Sequence, residues 1–213
     1  MLTRTHKPGV GGSNPPLATK TVMKKIIIIL TFILNFQIYS YANDIKEFEL
    51  EGISVGDNLL NHYDKDLIQN IEKFYYPGSK KYAGIASNMF SKNLKNFEAI
   101  QFMVNPDTYK IVSVAGKIYK YNNDLEGCYK EMDEIFEDIK LIFPSSKTEK
   151  EKASPHMYDK SEKSIAKVYK ILLKNGRIAI TCTDWSDEVK LRDSLKVAIH
   201  MKKYMDWINN EAY

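Results

Sequence analysis

Apolar positions along the chain switch between strict alternation and three- or four-residue steps, and each switch marks a new element. Ser54 with Asp57 three residues on reads as a capping pair, which predicts a short helix running to about Asn61. Asp64 caps a second predicted helix through Leu67, Ile71 and Phe74, ended by Pro77-Gly78. The period then changes to two. Ile100, Phe102 and Val104 alternate, Asn105-Pro106-Asp107 makes a turn, and Val112, Val114 and Ile118 alternate again with Gly116 on the same face. The stretch from Tyr82 to Phe90 adds a strand before them. Lys117, Tyr119 and Tyr121 fall on the opposite side from Val112 and Val114, an exposed Tyr/Lys face that could meet a partner or a sugar and whose bland reading is ordinary cross-strand pairing.

The clearest helix follows. Asn123 is placed as N-cap with Glu126 three residues on, and Leu125, Cys128, Met132, Ile135, Phe136, Ile139 and Ile142 form one apolar stripe. Asp124 and Glu126 favour its positive end and Lys140 its negative end, and Pro144 stops it. Pro144 to Ser164 is almost free of apolar residues and reads as a surface loop, with a seam between two halves of one core as the other reading. Ile165–Leu173 and Ile178–Thr183 flank Asn175-Gly176, a hairpin signal that asks for positive φ at both turn positions. Leu195, Val197, Ile199 and Met201 alternate as a further strand, with His200 pointing to solvent. A short helix through Tyr204, Trp207 and Ile208 ends the chain. The fold class expected is α+β: an antiparallel sheet of about five to six strands packed by one long helix, two-layer, with short N- and C-terminal helices.

The front of the chain has a different character. Lys24 and Lys25 after Met23, an apolar run of about 13 residues, and Ser40-Tyr41-Ala42 form the three parts of a secretory signal peptide. The run is shorter than the roughly 20 residues that cross a bilayer as a helix. Residues 23–42 are therefore expected to be the signal, cleaved between Ala42 and Asn43, with no transmembrane segment left afterwards. No cysteine lies there to take a lipid. Residues 1–22 fit no part of a signal; they read as an extension upstream of a true start at Met23, or as a disordered segment. Residues 43–213 are expected to form one domain.

Charge changes meaning in this light. Five of the 31 Lys and Arg residues and none of the 27 acids precede Asn43, which leaves 26 against 27 and a net of −1 for the rest. The formal +4 belongs to the leader and implies no polyanionic partner. Nucleic acid is disfavoured further because Arg177 and Arg192 are the only arginines after Asn43.

Cys128 lies on the helix stripe and Cys182 on the apolar face of the last hairpin. In an oxidising compartment such a pair is expected to form a disulfide, with two inert buried thiols as the alternative.

No nucleotide-binding, zinc-protease or serine-hydrolase motif occurs, and no cofactor or metal is expected. His62 beside Tyr63 and Asp64 reads as a capping or surface histidine, and His156 as solvated in the polar loop. Asp184, Asp187 and Glu188 around Trp185 offer oxygens of the kind calcium uses, in a spacing that matches no ligand template. Trp185 itself reads as core.

Phe48-Glu49-Leu50-Glu51-Gly52-Ile53-Ser54-Val55-Gly56-Asp57, Leu59-Leu60 and the later Thr181-Cys182-Thr183-Asp184-Trp185 resemble a set of small exported bacterial proteins of unknown function. Gly52-Ile53-Ser54 leading into a short helix and strands is also similar to the small lipoprotein of the outer-membrane barrel-assembly machinery and to β-lactamase-inhibitor-like domains. The resemblance implies an α+β fold and export, and transfers no activity. The function expected is that of a periplasmic or secreted, non-enzymatic binding or envelope-accessory module, whose partner is an envelope protein or a small ligand. The alternative is a small periplasmic hydrolase using a carboxylate with His62 or His200.

Overall fold

A computed structural model describes residues 44–86, 90, 94–121 and 123–213. The signal segment and the Ala42–Asn43 junction lie outside the described residues. Within them the backbone forms an antiparallel sheet of nine strands, more than the five or six expected. These are β1 (Lys73–Tyr76), β2 (Ser79–Ala86), β3 (Ala99–Val104), β4 (Ile111–Ile118), β5 (Lys147–Lys150), β6 (Ser154–Pro155), β7 (Ile165–Leu173), β8 (Gly176–Asp184) and β9 (Ser194–Met201). Their spatial order is β1-β2-β3-β4-β9-β8-β7-β5, with β6 also beside β7. Three α-helices accompany them: α1 (Lys65–Asn70), α2 (Leu125–Ile142) and α3 (Lys202–Asn210).

The α2 stripe does what its spacing predicts except at its last position, Ile142, which is exposed. Cys128, Met132, Phe136 and Ile139 are buried in the same core as Tyr169, Ile171, Ile178, Ile180 and Cys182 of β7 and β8. The Cys128–Cys182 disulfide is formed and ties α2 to β8 across that core. Ile45, Leu50, Ile53, Val55 and Leu59 of the first described segment join the same cluster. The sheet is covered on its other side as well, which a two-layer reading omits. Tyr204 and Trp207 of α3 pack there on Tyr82, Met103 and Val112.

Val112 is on that second side, not beside Val114, because of a β-bulge. Met103 pairs with Ser113 while Val104 pairs with Ile111, so Val112 is the extra residue and the alternation breaks there. Ser54–Asn61 is not a helix of the predicted kind. The Ser54 N–H donates to Asp57 at 3.1 Å, Gly56 takes φ +96°, and only a 3-10 turn forms, over Leu59–Asn61. Helix α1 ends at Asn70, and Phe74 belongs to strand β1 instead. The α2 cap is Asp124, whose carboxylate accepts from the Gly127 N–H at 2.9 Å; Asn123 sits at φ +60° just before it. The stretch between Pro144 and Ser164 holds β5 and β6, both pairing with the edge of β7.

The hairpin joining β7 to β8 exists, but its turn residues are Lys174 and Asn175, since Leu173 pairs with Gly176. Neither Asn175 nor Gly176 has positive φ. Glycine is needed for a different reason: a Cβ there would collide with the His200 carbonyl oxygen and come within 2.5 Å of Ile45 Cδ1.

Candidate functional site

On the second face of the sheet, β9 presents Lys196, Ala198 and His200, and β8 presents Arg177, Ala179 and Thr181. The core positions Leu195, Val197 and Ile199, with Ile178, Ile180 and Cys182, take the other face. Register lines these residues up in rows. Lys117 stands opposite Lys196, which stands opposite Thr181; the next row is Ala115, Ala198 and Ala179; the next is Ser113, His200 and Arg177. The three alanines lie between two polar rows, and Ala179 with Arg177, Thr181, Lys196 and His200 lines the floor of a trough.

Two structures close over the trough from opposite sides. Helix α3 brings Tyr204, Met205 and Ile208, and the segment around β6 brings His156, Met157 and Tyr158. Between them is a cavity of about 390 Å³ with Ala179, Thr181, Lys196 and His200 in its lining. A second cavity of about 420 Å³ lies toward the other end of the strands, lined by Lys117, Tyr119, Trp185, Lys190 and Arg192. Lys196 and His156 line both.

The β6 segment is held in place by one carboxylate. Asp159 accepts from the N–H and hydroxyl of Ser161 (2.9 and 2.6 Å), from those of Ser164 (2.9 and 2.6 Å), and from the Ser186 hydroxyl at 3.1 Å. The Ser161 and Ser164 hydroxyls hold its pKa far below the usual carboxylate range. The knot joins the β6 segment to the turn bearing Trp185. His156 consequently packs on the Trp185 ring, with centroids 4.2 Å apart, instead of being solvated. Trp185 is correspondingly a partly exposed cavity wall and not core. Its own N–H donates to Asp193 at 2.7 Å, and the other oxygen of Asp193 accepts from the Asn123 N–H at 3.2 Å.

The electrostatics of the trough are lopsided. Lys196 is deep in the fold yet partly open, because the cavities reach it. Burial pushes its ammonium down to about 8, and Lys117 and Arg177 push the same way. Burial also lowers Lys117. Neither lysine has an ion-pair partner among the described residues. Arg177 has its Nε buried with no hydrogen-bond partner. The acids that line the cavities are engaged elsewhere: Glu151 pairs with Lys170, and Glu98 accepts from the Tyr119 N–H at 2.8 Å. Arg192 lies 4.4 Å over the Tyr119 ring. Like charges set directly opposite one another on a sheet face are destabilising, so this face is not arranged for stability.

His200 is not on a solvent face. It stacks on Tyr204 beneath α3, and burial, reinforced by Arg177 and Lys196, pushes its pKa down to about 3. Its Nδ1 is bonded to the Ser113 hydroxyl, and Ser113 lines neither cavity. His62 meets the Asp57 carboxylate at 3.1 Å in an exposed pair, away from both cavities. Tyr121 is buried against the α2 side, so the Tyr/Lys face reduces to Lys117 and Tyr119. Glu188 of the acidic cluster pairs with Lys163, and burial raises Asp184. Among the described residues no group of three or more His, Cys, Asp and Glu converges as a metal site. No helix among them is long and apolar enough to cross a membrane.

Lys117 and Tyr119 were legible as one strand face; the trough was not, because it depends on β9 lying between β4 and β8. No protein-family model, curated protein or solved structure matches this chain.

Proposed function

We propose that this protein is an exported binding module that holds a small ligand in the trough between α3 and the β6 segment. The observation that carries the reading is Lys196, a recessed cation shared by two cavities with no acid of its own. Like charges stand opposite one another and a recessed cation lacks an acid here, and such local breaches concentrate at functional positions. Export is supported by the signal pattern ahead of Asn43 and by the disulfide.

Binding is favoured over hydrolysis because no histidine among the described residues meets a carboxylate inside the trough, where His156 Nδ1 accepts from the Tyr158 N–H at 3.3 Å. His200 faces a buried serine hydroxyl, and His62 and its carboxylate lie outside the trough.

Non-denaturing mass spectrometry of the protein recovered from its own cell envelope tests the reading. A small-molecule adduct is expected, and it should be lost in Ala166→Trp, which fills the cavity from a partly exposed position on β7. Bare protein, together with unchanged amide exchange in β7–β9 when envelope extract is added, would overturn it.

A further inference from the structure

The two cavities that meet at Lys196 differ in chemistry. The one beside Trp185 carries Lys117, Lys190, Arg192 and Lys196 against a single acid, Glu98. The one under α3 has Tyr158, Tyr204, Met205, Ile208 and Val168 in its wall, with Met157 exposed beside them, and also holds Arg177 and the paired Lys170 and Glu151. Met157 is 81% exposed and Tyr158 56% exposed, although both stand where an apolar surface is already being formed. An exposed methionine is an adaptable contact for apolar guests of variable shape. Lys196 and His156 line both cavities and stand between the cationic end and the more apolar end.

We infer that the trough binds a single-chain anionic amphiphile, with its carboxylate or phosphate head among Lys117, Lys196 and Arg192 and its apolar chain against Tyr158, Met205 and Ile208. This rests on the binding reading above and names its ligand class. An anion between Lys117 and Lys196 replaces their mutual repulsion with charge-assisted hydrogen bonds. The chain would cover the apolar wall that α3 and the β6 segment leave open. His156, stacked on Trp185, divides the two environments.

The test uses two dyes with the same ring system: anilinonaphthalene sulfonate, which is anionic, and phenylnaphthylamine, which lacks the sulfonate. The folded protein is expected to bind one sulfonate dye per chain, with energy transfer from Trp185. Decanoate or decyl phosphate should displace it and decanol should not; whichever acid competes better identifies the head group. Lys196→Gln should weaken the sulfonate dye by about tenfold or more, the size of a charged hydrogen bond, while leaving the neutral dye within about twofold. Lys117→Gln provides the same comparison on a less recessed side chain, and near-ultraviolet circular dichroism confirms the fold of both. Equal binding of the two dyes, indifferent to both substitutions, would overturn the anionic class while leaving a binding trough. Failure of both dyes to bind would overturn both readings.

Discussion

Nδ1 of His200 and the hydroxyl oxygen of Ser113 lie 2.8 Å apart, in register across the pairing of β9 with β4. The bond anchors a neutral imidazole under α3 between two cationic residues, Arg177 and Lys196, which both oppose its protonation. Proton uptake is thereby shifted from the native to the unfolded chain.

A pH dependence follows from that shift. His200 titrates near 3 when folded and near about 6.5 when unfolded. Between those values the unfolded chain binds a proton that the native one excludes. Its contribution is therefore complete above the unfolded value and is lost as pH falls, by about 1.4 kcal/mol per unit from this group alone. Urea unfolding at a series of pH values should show a shallower acid loss in His200→Gln than in the unaltered protein. Parallel curves would refute the assignment.

The Cys128–Cys182 bridge spans 54 positions. The chain-entropy treatment of a loop that long gives about 4 kcal/mol as an upper figure. Reduction, or paired Cys→Ala substitution, should lower the unfolding free energy by about 2–4 kcal/mol, with α2 losing amide protection before β9. Coincident unfolding curves for oxidised and reduced protein would contradict this.

Asp159 should control the β6 segment without being part of the core. Asp159→Asn puts an amide donor against five donor groups, so residues 156–164 should exchange amide hydrogens faster, on the order of tenfold, with little change in β8 or β9. Because the folded carboxyl titrates far below its ordinary range, its contribution is complete above the ordinary carboxylate value and lost only as pH falls through the depressed one. The unaltered segment should therefore stay protected through pH 4. Loosening already between pH 5 and 4 would count against the knot.

Particular residues show where sequence was sufficient. The α2 stripe, the last hairpin, β9 and the cysteine pair could be read directly, because each carries its own periodicity or compartment logic. Strands β5 and β6 could not. Lys147-Thr148-Glu149-Lys150 and Ser154-Pro155 show no apolar alternation, since an edge strand is satisfied by backbone pairing and uses charge and proline to blunt its free side. Asn175-Gly176 pointed to the hairpin for a reason that does not hold there, as glycine serves backbone approach and not positive φ. His200 reads in sequence as a solvent-facing alternate of a half-buried strand. Nothing local to β9 reveals that α3 and the β6 segment fold over that side.

The strand that joins the sheet's two halves, β9, is the last in sequence among the described residues. Until residues 194–201 arrive, β4 and β8 each present an unzipped edge and the two halves share no ladder. A chain whose residues 194–201 are kept from the sheet therefore cannot join its two halves. Closure of the sheet is thus a single event of long sequence separation, made when one strand meets two waiting edges.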